Sequence, residues 1–182
     1  MQLEKGRPES LEGRLEKEQR CYEFLDKLGI DYVRVDHEPA DTMEACQAIE
    51  KAVSGHVCKN LFLCNRQQTD FYLCLIHGEK IFKTKELSKQ IGSSRLSFGN
   101  AENMERLLGI TPGSVSILGL MNDENNEVRL LVDKDLLKEE YFVCHPCINT
   151  SSVRMRTEDV FGLLVEALGH PMTLVELNGE EA

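Results

Sequence analysis

Apolar residues at Leu15, Cys21, Phe24, Leu25 and Leu28 share one helical face, and Gly29 follows as a stop signal, predicting a helix over 15–28. "DYVRVDH" alternates apolar and polar residues, the period of a half-buried strand ending at His37. "EPA" turns the chain. Asp41, with Glu44 three residues on, resembles a capping box for a helix running to about Ser54 and stopped by Gly55. Two strongly apolar runs, 58–65 and 70–77, flank the polar "RQQT" and read as a hairpin. A short helix over 84–91, a strand over 95–98 and a helix capped by Asn100 follow. "GITPGSVSILGL" lacks a clear period and reads as a loop entering a short extended segment. "EVRLLVD", "YFVCH" and "SVRM" read as strands. Thr157 is placed as the cap of a final helix to Leu168, and "TLVEL" as a closing strand. About eight strands with interspersed helices, some joined by hairpins, predict an α+β (mixed α/β) fold with a mixed sheet. A doubly wound nucleotide fold is excluded.

A chain of 182 residues suits one domain with a sizeable core. Residues 1–12 are polar and read as a flexible tail, leaving a single domain over 13–178. No apolar run reaches the roughly 20 residues that cross a bilayer. The charged N-terminus lacks the apolar centre of a signal peptide, so a cytoplasmic location with no membrane contact is expected. The net charge of −10 argues against coating of nucleic acid or binding to DNA, because phosphate neutralisation needs clustered Lys and Arg. Any contact with nucleic acid should rest on a small basic patch or on recognition of an end.

The seven cysteines include several inside apolar runs, where reduced thiols behave as small hydrophobes. Cys144 and Cys147 bracket His145 and Pro146 in "CHPC". A reactive dithiol wants its first thiol at a helix N-terminus, yet the following "INTSSVRM" is strand-like. Zinc would need two further ligands that no spacing supplies, so no metal and no cofactor are expected. Lys59 opens an apolar strand. It reads either as a side chain snorkelling from a strand end or as a cation at a pocket mouth beside the Asn60 amide. Pro112, Gly113 and Ser114 form either a structural turn or a loop that approaches a ligand closely. It lacks the Gly-Lys-Ser/Thr of a phosphate loop. His37, His56, His77 and His170 have no motif and read as surface or strand-end residues.

In this order and spacing, "HEPA" (37–40), "KNLFL" (59–63), "FYLCLI" (71–76), "LGITPGSVSILGL" (108–120), "HPCINTSSVRM" (145–155) and "LGHPMTLVEL" (168–177) resemble the YbaK/ProX family of aminoacyl-tRNA deacylases. The likeness is greatest to the ProX, or prolyl-tRNA synthetase associated domain, branch. It spans about residues 15–177. The resemblance implies a curved, barrel-like mixed sheet of six to eight strands flanked by helices. It also implies trans-editing hydrolysis of mischarged tRNA-Pro, above all Ala-tRNA-Pro. The acceptor end of the tRNA is then the partner, with prolyl-tRNA synthetase as a candidate second one.

By the same resemblance, Lys59 and His145 take catalytic roles. Asn60, Pro112, Gly113, Ser114, Val115 and Asn149, with Thr150 behind it, fall on the substrate site. Cys58 stands where relatives are often apolar and is expected to line the pocket. A non-catalytic module that binds aminoacyl-tRNA or a synthetase is the competing reading, and a dithiol oxidoreductase is the third.

Overall fold

A computed structural model describes residues 1–179. Among these residues nine strands form two sheets. The strands are β1 (Glu4–Lys5), β2 (Tyr32–Asp36), β3 (Lys59–Cys64), β4 (Phe71–Ile76), β5 (Ser97–Phe98), β6 (Val128–Asp133), β7 (Tyr141–Cys144), β8 (Ser151–Arg156) and β9 (Met172–Val175). The first sheet has the order β1-β2-β8-β7 and is antiparallel throughout. The second has the order β5-β3-β4-β6-β9 and is mixed, with β4, β6 and β9 parallel. The predicted α+β class holds. The barrel-like closure does not: an isolated parallel bridge, Val57 to Val143, lies between the sheets, and no ladder joins their edge strands among the described residues.

Helices α1 (Glu16–Leu28), α2 (Met43–Val53), α3 (Thr84–Ile91) and α4 (Ala101–Leu108) lie close to the predicted spans. The largest core cluster gathers residues of both sheets with α1 and α4, including Tyr22, Leu25, Phe62, Leu75, Leu107, Leu130, Phe142 and Val153. A second, under α3, joins Leu63, Ile76, Leu87, Leu96 and Leu131. Val35, Ile49, Val53 and Val143 hold α2 on the first sheet.

Local details depart from the pattern for identifiable reasons. Thr42, not Asp41, caps α2: its Oγ1 accepts from Ala45 N at 3.1 Å, while Asp41 accepts from Asn149 Nδ2 at 3.4 Å. Residues Ile117–Asn122 form a 3₁₀ helix rather than an extended segment, started by Ser116 Oγ accepting from Leu118 N and anchored by buried Ile117, Leu118 and Leu120. Thr157 is the first residue of its helix, and its hydroxyl has no partner among the described residues. That helix runs α5 (Thr157–Asp159), a π turn (Val160–Leu164) and α6 (Val165–Leu168). Near the N-terminus, Glu4 and Lys5 pair with Arg34 and Val33 in a short strand, and the Glu4 carboxylate binds the buried Arg34 guanidinium.

Candidate active site

The bridge between the sheets marks the site. A cavity of about 190 Å³ opens there, lined by Val57, Cys58, Asn60, Gly113, Val115, Val143, Cys144, His145 and Ser152. It is smaller than the roughly 300–1,000 Å³ of a drug-sized pocket. Val57, Cys58, Val115, Val143 and Cys144 supply its apolar lining, and Asn60, His145 and Ser152 its polar side chains. Strand geometry explains part of the list. Side chains alternate along β3, so Asn60 joins Cys58 while Lys59 and Leu61 take the opposite face.

The glycine turn needs Gly113 for its backbone: φ is 91°, a region hostile to side chains. Within this loop the Ser114 N–H donates to the Thr111 carbonyl at 3.2 Å. The N–H groups of Gly113 and Val115 make no hydrogen bond among the described residues, which leaves two donors beside the cavity. The Asn60 Nδ2 donates to the Cys58 carbonyl at 3.2 Å, and its buried Oδ1 has no partner among the described residues.

His145 follows β7 directly, in a turn held from several sides. His37 N–H donates to the Thr150 carbonyl at 2.9 Å and Ala40 N–H to that of Asn149 at 3.2 Å. Cys147, with φ 61°, sets its buried Sγ 3.5 Å from that of Cys21 on α1. The His145 Nδ1 lies 2.8 Å from the Ser151 carbonyl. A carbonyl only accepts, so Nδ1 carries the proton and Nε2 is the basic nitrogen. Burial pushes His145 below the ordinary imidazole range. The bond to Ser151 works the other way, and nearby His37 adds to the lowering. The imidazole is therefore neutral at pH 7.

A second imidazole completes the arrangement. His37 Nδ1 is 2.7 Å from the Glu38 carbonyl, so it too is protonated there, and Nε2 accepts from Ser152 Oγ at 2.9 Å. Ser152 Oγ is also 3.4 Å from His145 Nδ1, and the two rings are 6.0 Å apart. Next to them, Asp36 keeps its charge. Burial alone would raise its carboxyl, but hydrogen bonds from Arg14, Arg34 and Ser151 hold it well below the usual range.

The structure thus brings Cys58, Asn60, Gly113, Val115 and His145 together. Ser114 and Asn149 line a neighbouring depression with Arg14, His37 and Thr150, and Pro112 is exposed outside both. Lys59 is the main departure. Its exposed ammonium donates to the Lys80 carbonyl and lines an adjoining groove with His56 and His77 that shares Val57 and Cys58 with the cavity. Gly78 lets that groove's far wall pack closely: a Cβ there would meet the Val57 carbonyl oxygen at 2.3 Å.

Sequence reasoning missed Ser152, Val57 and Val143, and read His37 as a surface or strand-end residue; it does stand at the end of β2, but beside His145. "HEPA" pointed at His37, but nothing local pairs a strand-end histidine with a serine 115 residues away. Cys144, weighed in the sequence only as half of a dithiol or zinc pair, lines the cavity. Burial lifts Cys58 to about 12 and holds Cys144 well above the usual thiol range, so both stay protonated as small apolar groups. Cys147, the other cysteine of that segment, lies against Cys21 of α1 and does not line the cavity.

The fold is a two-sheet α+β domain with a small cavity where the sheets meet. The chain belongs to the aminoacyl-tRNA editing domain family, whose sequence profile matches residues 37–163. It is 33% identical over 153 residues to the prolyl-tRNA editing protein ProX of Acetoanaerobium sticklandii, covering 84% of this chain and 93% of that protein. It is 29% identical over 161 residues to a mouse prolyl-tRNA synthetase associated domain-containing protein 1, covering 86% and 92%. Two solved structures share the fold. One, described provisionally as a trans-editing enzyme for prolyl tRNA synthetase, has a TM-score of 0.66, 17% identity, and coverage of 90% of this chain and 99% of the other. The other, hypothetical protein APE2540, has a TM-score of 0.65, 18% identity, and coverage of 86% and 97%.

Proposed function

We propose that this chain is a trans-editing hydrolase that cleaves the ester between a small amino acid and the terminal ribose of tRNA, with Ala-tRNA-Pro as substrate. One observation carries the reading. Five of the residues that the family resemblance marks — Cys58, Asn60, Gly113, Val115 and His145 — surround one cavity the size of a small aminoacyl group. A relative named for prolyl-tRNA editing, alike over most of both chains, supports it. Prolyl-tRNA synthetase is the expected supplier of mischarged tRNA, and the cytoplasm the expected location.

The need for such an enzyme is energetic. A pocket sized for proline gains only about 1–3 kcal/mol per methylene-sized group against a smaller competitor. A second, smaller pocket that admits alanine and excludes proline supplies the remaining discrimination.

Hydrolysis passes through a tetrahedral oxyanion, stabilised by donors already in place. The free N–H groups of Gly113 and Val115 supply them. The neutral His145 offers Nε2 to take a proton from the attacking water and return it to the departing ribose oxygen. The Asn60 amide orients the aminoacyl group against the wall formed by Cys58, Val115, Val143 and Cys144. Lys59, at the rim of the adjoining groove, meets the phosphate of the terminal nucleotide. The test is a single-turnover deacylation panel over Ala-, Ser-, Cys- and Pro-tRNA. Selective release of alanine supports the reading, and binding without hydrolysis of any ester replaces it with the non-catalytic module.

A further inference from the structure

The chain is acidic, yet one segment is not. Residues 83–98 carry four cations, Lys83, Lys85, Lys89 and Arg95, and one carboxylate, Glu86. Glu86 turns away and accepts from the backbone N–H of Asn178 at 2.7 Å. None of the four cations has a carboxylate partner within 4.0 Å among the described residues, whereas Lys80, Lys134 and Lys138 are all paired. Lys85 and Lys89, four apart on α3, share its solvent side, because Leu87 and Ile91 face the core cluster beneath the helix.

The face has a direction. β5 pairs only with the far end of β3, Leu63 to Phe98 and Cys64 to Ser97. Arg66 joins it there through its N–H, 3.4 Å from Ser94 Oγ, and its guanidinium is exposed without a carboxylate partner among the described residues. At the near end stands Lys59, on the same face of β3 as Leu61 and Leu63, at the groove that shares Val57 and Cys58 with the cavity. The five steps along β3 from Lys59 to Cys64 span about 16 Å at ~3.3 Å per residue. Beside this row Phe98 is 64% exposed, in an edge-on pair with Phe82 at 6.3 Å between centroids.

We infer that the α3–β5 face, headed by Lys59, is the docking surface for the acceptor arm of tRNA, with the cations on its phosphates and Phe98 under a base. This rests on the deacylase reading but adds a surface that the cavity alone does not require. Unpaired cations in a row that begins at Lys59, beside the groove that shares Val57 and Cys58 with the cavity, match a phosphate backbone that must bring its 3′ end to the cavity. An exposed aromatic ring among them offers a stacking face, which an acidic protein surface would not need.

The test compares the wild type with a triple variant, Lys85→Glu, Lys89→Glu and Arg95→Glu, and separately with Phe98→Ala. Folding is checked by thermal melting. Binding of uncharged tRNA-Pro is followed by fluorescence anisotropy over a salt series, and deacylation is measured on Ala-tRNA-Pro and on the 3′-alanyl ester of adenosine. The charge variant is expected to bind tRNA about tenfold or more weakly, with a salt slope lower by ~0.7–0.9 for each phosphate no longer neutralised. Its rates at saturating tRNA and on the adenosine ester stay near wild type. Phe98→Ala weakens tRNA binding without changing that slope. Unchanged affinity and slope in a folded, active charge variant overturn the inference. So does a defect that appears only when a synthetase is added, which would assign the face to an acidic protein. If the wild type hydrolyses no ester but the charge variant still fails to hold tRNA, the deacylase reading fails and this surface stands.

Discussion

His37→Gln isolates the effect of one imidazole on another. The rings lie 6.0 Å apart and Ser152 links them. Two unit charges at that separation repel by about 3 kcal/mol at an effective dielectric near 20, and by ~0.7 kcal/mol in water. A proton on His37 opposes one on His145 by that amount. The other titratable side chains at the cavity are the thiols of Cys58 and Cys144, both held protonated, while the charge of Asp36 is spent on Arg14 and Arg34. Removing His37 therefore makes His145 easier to protonate. A base works only unprotonated, so the acid limb of the kcat/KM profile moves to higher pH. At the acid end the variant loses about 3-fold to 100-fold more activity than the wild type, the range that the two dielectric limits give. Above the limb the two proteins converge, because burial, the larger cause of the lowering, is unchanged. The assay is single-turnover release of labelled alanine from Ala-tRNA-Pro between pH 5 and 9. A limb that stays put, or moves to lower pH, would refute the coupling; no limb at all would remove His145 as base.

His145→Gln keeps a hydrogen-bonding side chain but no base, and should lower the single-turnover rate by roughly 10²–10⁴ with little change in KM. It should also flatten the pH dependence of stability in urea melts. With its native value depressed, wild-type His145 leaves the unfolded chain binding more protons as pH falls through about 6.5, so stability declines there. Ser152→Ala should slow deacylation only by about tenfold, since Ser152 holds the imidazoles together without attacking the ester; a loss as large as a missing nucleophile, ~10⁴ or more, would give it that role instead. Cys58→Ala enlarges the cavity and should lower the preference for alanyl over prolyl ester by about tenfold, whereas Cys58→Ile should close the cavity to both, read from paired deacylation rates. Asp123→Ala should destabilise the fold by about 3 kcal/mol in urea titration, because the buried carboxylate accepts from His170 and from the backbone of Glu127 and Val128.

Periodic segments were legible in the sequence. The apolar runs of β3 and β4, the amphipathic α1 and α4 and the alternating β2 are written in local spacing that packing then uses. What local spacing could not carry was competition. Asp41 and Thr42 both have capping side chains, and the choice fell to Thr42 because Asn149, 108 residues away, engages Asp41. "SILGL" has no strand period because four of its residues are buried in a 3₁₀ turn. The division into two sheets depends on which edges meet, and no stretch of sequence records that. The cavity followed the same rule. His145 and Gly113 were visible as motif residues, Ser152 became visible only when β8 folded back beside β7, and the alternation along β3 sent Lys59 to the face opposite Asn60.

The sharpest measurement of the central claim is the rate of alanine release from Ala-tRNA-Pro set against proline release from Pro-tRNA-Pro, in the wild type and in His145→Gln. A cavity of about 190 Å³ served by a neutral imidazole predicts fast loss of alanine, at least about 10-fold slower loss of proline, and collapse of both rates in the variant. Equal rates for the two esters, or a variant as fast as the wild type, would contradict it.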